Sequence, residues 1–157
     1  MQECLISLPA IEIQNIPPNL RQELSMFPVN ILLIEHHAAF QESVATFLTL
    51  YADLKVVATA KNVERALCET ETLVLDVILV DLDLRSTGRL SVLRQLRNSL
   101  PEAGIIALSL QDQDFYQQAV LLAGADEFVS KMRVVEDLVP TIQRVAQLRL
   151  TGPDYSM

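Results

Sequence analysis

The chain has 157 residues, half of them hydrophobic and a fifth charged, which allows one domain with a real core and excludes a disordered segment. Twelve Lys and Arg against 20 Asp and Glu leave a formal net charge of −8, a surface that repels nucleic acid. No apolar run approaches the roughly 20 residues of a membrane span, and Met1-Gln2-Glu3-Cys4 lacks the basic region of a secretory signal, so a cytoplasmic protein with no nucleic-acid or membrane partner is expected.

Residues 1–27 form an N-terminal extension. Ile11, Ile13 and Ile16 suggest a short extended piece, and Pro17-Pro18-Asn19 with Leu20 to Leu24 a helical turn or two. The segment reads either as a loosely packed leader or as an added strand or arm for a partner. From residue 28 short aliphatic runs alternate with amphipathic stretches. Asn30 to Ile34 is a strand, followed by a helix over Phe40 to Tyr51. Leu54 to Ala60 is a second strand, less apolar and so placed at a sheet edge. Asn62 caps a helix carrying Ala66, Leu67 and Leu73. Val77 to Val80 is the third strand and delivers Asp81 and Asp83 at its C-terminal end.

A helix then runs from near Gly88 to Leu100, where Pro101 stops it. Its Arg89, Arg94 and Arg97, with Arg85 before them, come nearest to a basic patch but read as a solvated helix face. Gly104 to Ser109 is the fourth strand, Asp114 to Ala123 a short helix closed by Gly124, and Glu127 to Ser130 the fifth strand. The last helix spans Val135 to Leu148, with Pro140 predicting a kink or a later start. In Ala119 to Ala123 helical spacing turns one of Leu121 and Leu122 outward, a face suited to a homodimer or a partner. Cys4 and Cys68 stand outside any CxxC or Cys/His run, which argues against a disulfide framework or structural zinc.

Five near-continuous apolar strands alternating with helices specify an α/β fold with a doubly wound five-stranded parallel sheet, order 2-1-3-4-5. Its domain is residues 28–150, with 151–157 a C-terminal tail. In such sheets the working groups gather at the carboxyl ends of the strands. Those ends present Glu35 and His36, Asp81 and Asp83, Ser109, and Lys131. A carboxylate, a hydroxyl and an ammonium converging from separate segments suit phosphoryl handling, the carboxylate accepting the group while the other two neutralise its oxygens.

Ile31-Leu32-Leu33-Ile34-Glu35-His36-His37 resembles the first-strand motif of bacterial response regulator receiver domains, which usually ends in two adjacent acids. Asp76 to Leu84 is similar to the segment that carries the phosphoacceptor, here Asp81. Ile105 to Ser109 resembles the strand ending in the switch hydroxyl, here Ser109. Gly124 to Lys131 resembles the stretch with the switch aromatic and the phosphoryl-contacting lysine, here Phe128 and Lys131. The likeness covers about residues 29 to 149 and implies the flavodoxin-like (βα)5 receiver fold of two-component systems. It also implies that a sensor histidine kinase or phosphotransfer protein supplies phosphate to Asp81 with Mg²⁺ bridging. Ser109 then moves toward the phosphoryl oxygens, Phe128 swings inward, and the face of helix four, strand five and helix five changes for a protein partner. The chain is expected to be no enzyme beyond its own phosphorylation from phosphohistidine or small phosphodonors.

The chain departs from that pattern in three places. Glu35 keeps the charge of the first usual Asp, but His36 replaces the acid that ligates Mg²⁺, a poor exchange for a hard ion and one that weakens the cofactor. Asp83 offers a compensating carboxylate to the acidic pocket. Met132 stands in place of the usual Pro after Lys131, so no cis peptide is expected there. Three further readings compete with phosphorylation. One is a pseudo-receiver, keeping fold and surface as an interaction or dimerisation module. Another is a transition-metal site in which one of His36 and His37 joins Asp81, the two pointing in opposite directions. The third is a flavin- or nucleotide-binding enzyme, disfavoured because His36-His37-Ala38-Ala39 has no phosphate cradle. The chain ends soon after its last helix, so an appended DNA-binding helix-turn-helix is not expected.

Overall fold

A computed structural model describes residues 27–83 and 89–151. The features read within residues 1–26, together with Leu84, Arg85 and Gly88, lie outside the described residues. Strands β1 (Val29–Ile34), β2 (Leu54–Ala60), β3 (Val77–Asp81), β4 (Gly104–Ser109) and β5 (Glu127–Ser130) alternate with helices. These are α1 (Ala38–Leu48), α2 (Val63–Glu69), α3 (Arg89–Ser99), α4 (Asp114–Leu122) and α5 (Val134–Thr151). The strands pair in parallel in the order β2-β1-β3-β4-β5, with β2 at an edge as its mixed composition predicts.

The period-2 alternation of strand side chains divides the core into two layers. Ile31, Leu33, Val77, Leu79, Ile106 and Leu108 face one side, where α1 and α5 bring Val44, Leu48, Leu138 and Ile142. Leu32, Ile34, Ile78, Val80, Ile105 and Ala107 face the other, against Ala66 of α2, Leu93 and Leu96 of α3 and Val120 of α4. With both faces covered, the sheet's polar business is confined to its ends.

Local chemistry moves several helix boundaries from their expected places. Helix α1 stops at Leu48, because the amides of Thr49, Leu50 and Tyr51 take tighter three-residue bonds to the carbonyls of Thr46, Phe47 and Leu48. Asn62 caps α2 by accepting from the Arg65 amide at 2.9 Å. That helix excludes Leu73, since the Thr70 hydroxyl donates to the Ala66 carbonyl and the Leu73 amide turns back to Thr70. Helix α5 neither waits for Pro140 nor stops there, but starts at Val134 directly after a 3-10 turn, Lys131–Arg133, capped by Ser130. The carbonyl deprived of its donor by Pro140 is that of solvent-exposed Glu136, where water can serve it. Gly124 takes φ 126°, the left-handed conformation foreseen for it.

Two expectations about surface faces need correction. Leu121 and Leu122 are both exposed, at 44% and 89%, because α4 meets the core through Val120 and, partly, Tyr116. Arg97 is no member of a solvated face. Its guanidinium donates to the carbonyls of Gly124 and Ala103, each at 2.8 Å, and pairs with Asp126 at 2.7 Å.

Candidate functional site

The sheet's switch point lies between β1 and β3, where the chain leaves toward opposite faces, and the strand ends there carry the charge. Glu35 follows β1 immediately, and its side chain is buried. The His37 amide donates to its Oε1 at 3.1 Å, and Gln41 of α1 ties the Glu35 carbonyl to that of Ala60 by donating to both. Asp81 ends β3, also fully buried. The Leu82 amide extends the β3–β4 pairing by bonding Leu108, which carries Asp83 over the end of β4.

Lys131, the first residue past β5, reaches back into this cluster. Its ammonium lies 2.7 Å from Asp81 Oδ1, 3.3 Å from Glu35 Oε2 and 3.4 Å from Asp83 Oδ2, with 7% of its side chain exposed. The Phe40 ring forms an apolar wall 4.9 Å from the ammonium. Ser109 is buried and donates to Asp83 Oδ1 at 2.7 Å, while the Leu110 amide donates to Asp83 Oδ2 at 2.9 Å. The Asp83 amide in turn donates to Asp81 Oδ1 at 2.8 Å. Five of the seven residues singled out in the sequence thus meet: Glu35, Asp81, Asp83, Ser109 and Lys131.

Burial sets the electrostatics. It pushes the Glu35 carboxyl up to about 7, a shift reinforced by the hydrogen bond and charge of Asp81 and opposed by the His37 amide and Lys131. Burial also works against ionised Asp81. The hydrogen bonds from Glu35, Lys131 and the Asp83 amide outweigh it and hold Asp81 below the ordinary aspartate value. For Lys131 burial again opposes charge, and the bond and charge of Asp81 override it, raising the ammonium's pKa. Glu35 Oε2 and Asp81 Oδ2 are buried and receive no hydrogen bond from the surrounding protein. The raised Glu35 and lowered Asp81 favour a proton on Glu35 over one on Asp81, with Asp81 the anion of the pair.

His36 and Phe128 stand apart from this cluster. The chain has left the strand by Glu35, so the alternation that should part the two histidines no longer applies. Their exposed rings instead lie 5.3 Å apart at a 33° tilt. Phe128 is half-buried on β5 and meets Tyr116 of α4 edge-on, ring centroids 6.3 Å apart. The residues missed in the sequence are Phe40 and Gln41, whose roles depend on how α1 packs over the end of β1.

As arranged, with His36 exposed and apart, the donor set is a poor one for Mg²⁺. That ion demands near-octahedral oxygen coordination at about 2.0–2.1 Å. The described residues contain no group of three or more acids, histidines or cysteines placed to hold a metal. Both Asp83 oxygens are engaged by Ser109 and Leu110, and the Lys131 ammonium already supplies a positive charge between Asp81 and Glu35.

Comparison with known proteins agrees with this geometry. Residues 31–143 match the family model of the response regulator receiver domain. The chain belongs to that family, the signalling module of two-component systems. Among curated relatives, the transcriptional regulatory protein DegU of Brevibacillus brevis is 27% identical over 128 residues, covering 82% of this chain and 54% of that protein. The chain spans about half the length of the curated relatives it matches. Among solved structures, the response regulator domain of Thermotoga maritima CheB superposes with a TM-score of 0.68 at 20% identity, over 76% of this chain and 97% of that one. A Burkholderia pseudomallei response regulator crystallised with a phosphorylated aspartic acid, calcium ion and citrate superposes with a TM-score of 0.65. It is 26% identical over 76% of this chain and 69% of that one.

Proposed function

We propose that this domain accepts a phosphoryl group on Asp81 within a two-component phosphorelay and passes the signal to a protein partner. The carrying observation is the Asp81–Lys131 pair at 2.7 Å, a carboxylate kept ionised beside a fixed ammonium at the switch point of the sheet. In the transfer a carboxylate oxygen of Asp81 forms an O–P bond as the donor's N–P bond breaks, giving an acyl phosphate. The electron pair of the broken bond stays on the donor imidazole, whose other ring nitrogen carries a proton, so the ring is left neutral. Lys131 neutralises the phosphoryl oxygens. The donor is a sensor histidine kinase or a phosphotransfer protein, and the chain catalyses nothing beyond its own modification. The phosphorylated aspartic acid in the Burkholderia relative lends support by analogy.

The output surface is the face of α4, β5 and α5, where Phe115, Leu122 and Val135 are 75%, 89% and 72% exposed. Ser109 and Phe128 are the residues through which occupancy of the site reaches that face. We place the protein in the bacterial cytoplasm, acting through protein contacts rather than on nucleic acid, with a second copy as one partner for the α4 face. Among the described residues no helix is long and apolar enough to cross a membrane. The mismatch with Mg²⁺ leads us to expect phosphorylation that depends little on that ion.

The full burial of Asp81 favours a second reading, a pseudo-receiver that works without phosphoryl chemistry. Incubation with phosphoramidate or acetyl phosphate, with and without magnesium, followed by intact mass measurement, separates the two. A gain of one phosphoryl mass, absent in Asp81→Asn, supports the first reading; no adduct under either condition supports the second.

A further inference from the structure

The Asp83 carboxylate lies where an oxyanion attached to Asp81 would look for partners. Its Oδ1 takes the Ser109 hydroxyl at 2.7 Å and its Oδ2 takes the Leu110 amide at 2.9 Å, with the Lys131 ammonium 3.4 Å away. The Ser109 oxygen then accepts from the Gln111 amide at 3.0 Å, so one side chain pins Ser109 and Leu110 directly and Gln111 through Ser109. Its own backbone is fixed by the Asp83 amide on Asp81 Oδ1 and by the Leu82 amide on Leu108. Asp83 therefore has little freedom to be elsewhere while β3 and β4 remain paired. Charge-assisted bonds of this kind are roughly twice as strong as neutral ones.

A phosphoryl group on Asp81 brings three acceptor oxygens and about −1.5 to −2 charge. It would require the same hydroxyl and the same ammonium, and its charge would be repelled by Asp83. The Ser109 hydroxyl has a single proton to donate, so only one of the two anions can hold it at a time.

We propose that Asp83 is a built-in anionic latch that keeps the Ser109–Gln111 segment drawn toward the site before any phosphate arrives. Two consequences follow. The segment after β4 is already ordered in the unphosphorylated protein, so phosphorylation alters it less than an empty site would allow. Phosphorylation of Asp81 is also slowed, because the incoming group must displace Asp83 from Ser109 and enter beside its negative charge. The second consequence rests on the phosphoacceptor reading above; the first does not.

Amide hydrogen exchange in the full, unphosphorylated chain tests the latch by itself. Leu110 and Gln111 should be protected in the wild type and in Asp81→Asn. In Asp83→Ala both should exchange on the order of tenfold faster, the scale of one lost charge-assisted bond. Asp83→Asn keeps an acceptor for Ser109 but turns an NH2 group toward the Leu110 amide. It should therefore free Leu110 and spare Gln111, which keeps the test usable if the alanine variant folds poorly. Unchanged exchange in both Asp83 variants overturns the proposal. Labelling with phosphoramidate supplies the second arm: Asp83→Ala should gain the phosphoryl mass several-fold faster than wild type, and an equal or slower gain counts against competition. If no variant is labelled, the phosphoacceptor reading fails while exchange still judges the latch.

Discussion

Among the described residues Lys131 is the one cation that meets the three carboxylates of the site, and the stability of that site rests on it. Breaking a buried pair by deleting one partner leaves an uncompensated charge and costs about 3–5 kcal/mol. Lys131→Met should therefore lower unfolding stability by roughly 3 kcal/mol in urea titrations at neutral pH. The two acids pull stability in opposite directions with pH. The folded-state pKa of Glu35 is raised from 4.5 to about 7, so its stabilising contribution is full below about 4.5 and is lost as pH rises through about 7. Asp81 is lowered from 3.8, so its contribution is present above that value and is lost as pH falls below it. Melting curves at about pH 5 and about pH 8 should show Glu35→Gln gaining on the wild type as pH rises. A constant difference between the two proteins would contradict the assignment. The residue types at this site were legible in the sequence because each lies directly after an apolar strand. The use of Asp83 was not. Spacing puts it on the same side as Asp81, but its capture of Ser109 depends on how far the β3–β4 pairing continues.

At the scale of elements, the boundaries read best are those of β2, β4 and β5, where apolar runs are closed by charged or polar residues. The ends of α1 and α2 and the start of α5 escaped, because carbonyl-seeking hydroxyls and 3-10 turns decide them. Pro140 does not delay the start of α5, because its cost falls on a carbonyl at the surface. The arginines of α3 were read from one helix alone, and tertiary structure reassigns one of them. Asp126, between α4 and β5, accepts from the Ile105 amide at 2.8 Å, from Arg97 at 2.7 Å and from Arg149 at 2.9 Å. That carboxylate ties α3, β4 and α5 together, and its neighbours keep it below the ordinary aspartate range against the pull of burial. Asp126→Ala should cost about 2 kcal/mol in chemical denaturation, most of it from the unsatisfied Ile105 amide. A change within about 0.5 kcal/mol would place the clamp among ordinary surface polar contacts.

For the whole molecule, the two-layer core was legible from near-continuous apolar strands, and so was the convergence of functional groups at one end of the sheet. The exposed apolar side of α4 was only half anticipated, since helical spacing cannot tell how little of a short helix meets the core. Leu122 is 89% exposed and supports nothing inside the domain. Leu122→Glu should leave unfolding stability within about 0.5 kcal/mol of wild type while weakening whatever association the α4 face makes. Sedimentation across a concentration series would show whether that association is with a second copy. The proposed signalling role rests on Asp81 as the residue that carries phosphate. An acyl phosphate, unlike a phosphoester, is reduced by borohydride to the alcohol, turning aspartate into homoserine. After treatment with phosphoramidate and borohydride, peptide sequencing by mass spectrometry should find homoserine at position 81; homoserine at another acid, or at none, would contradict the account.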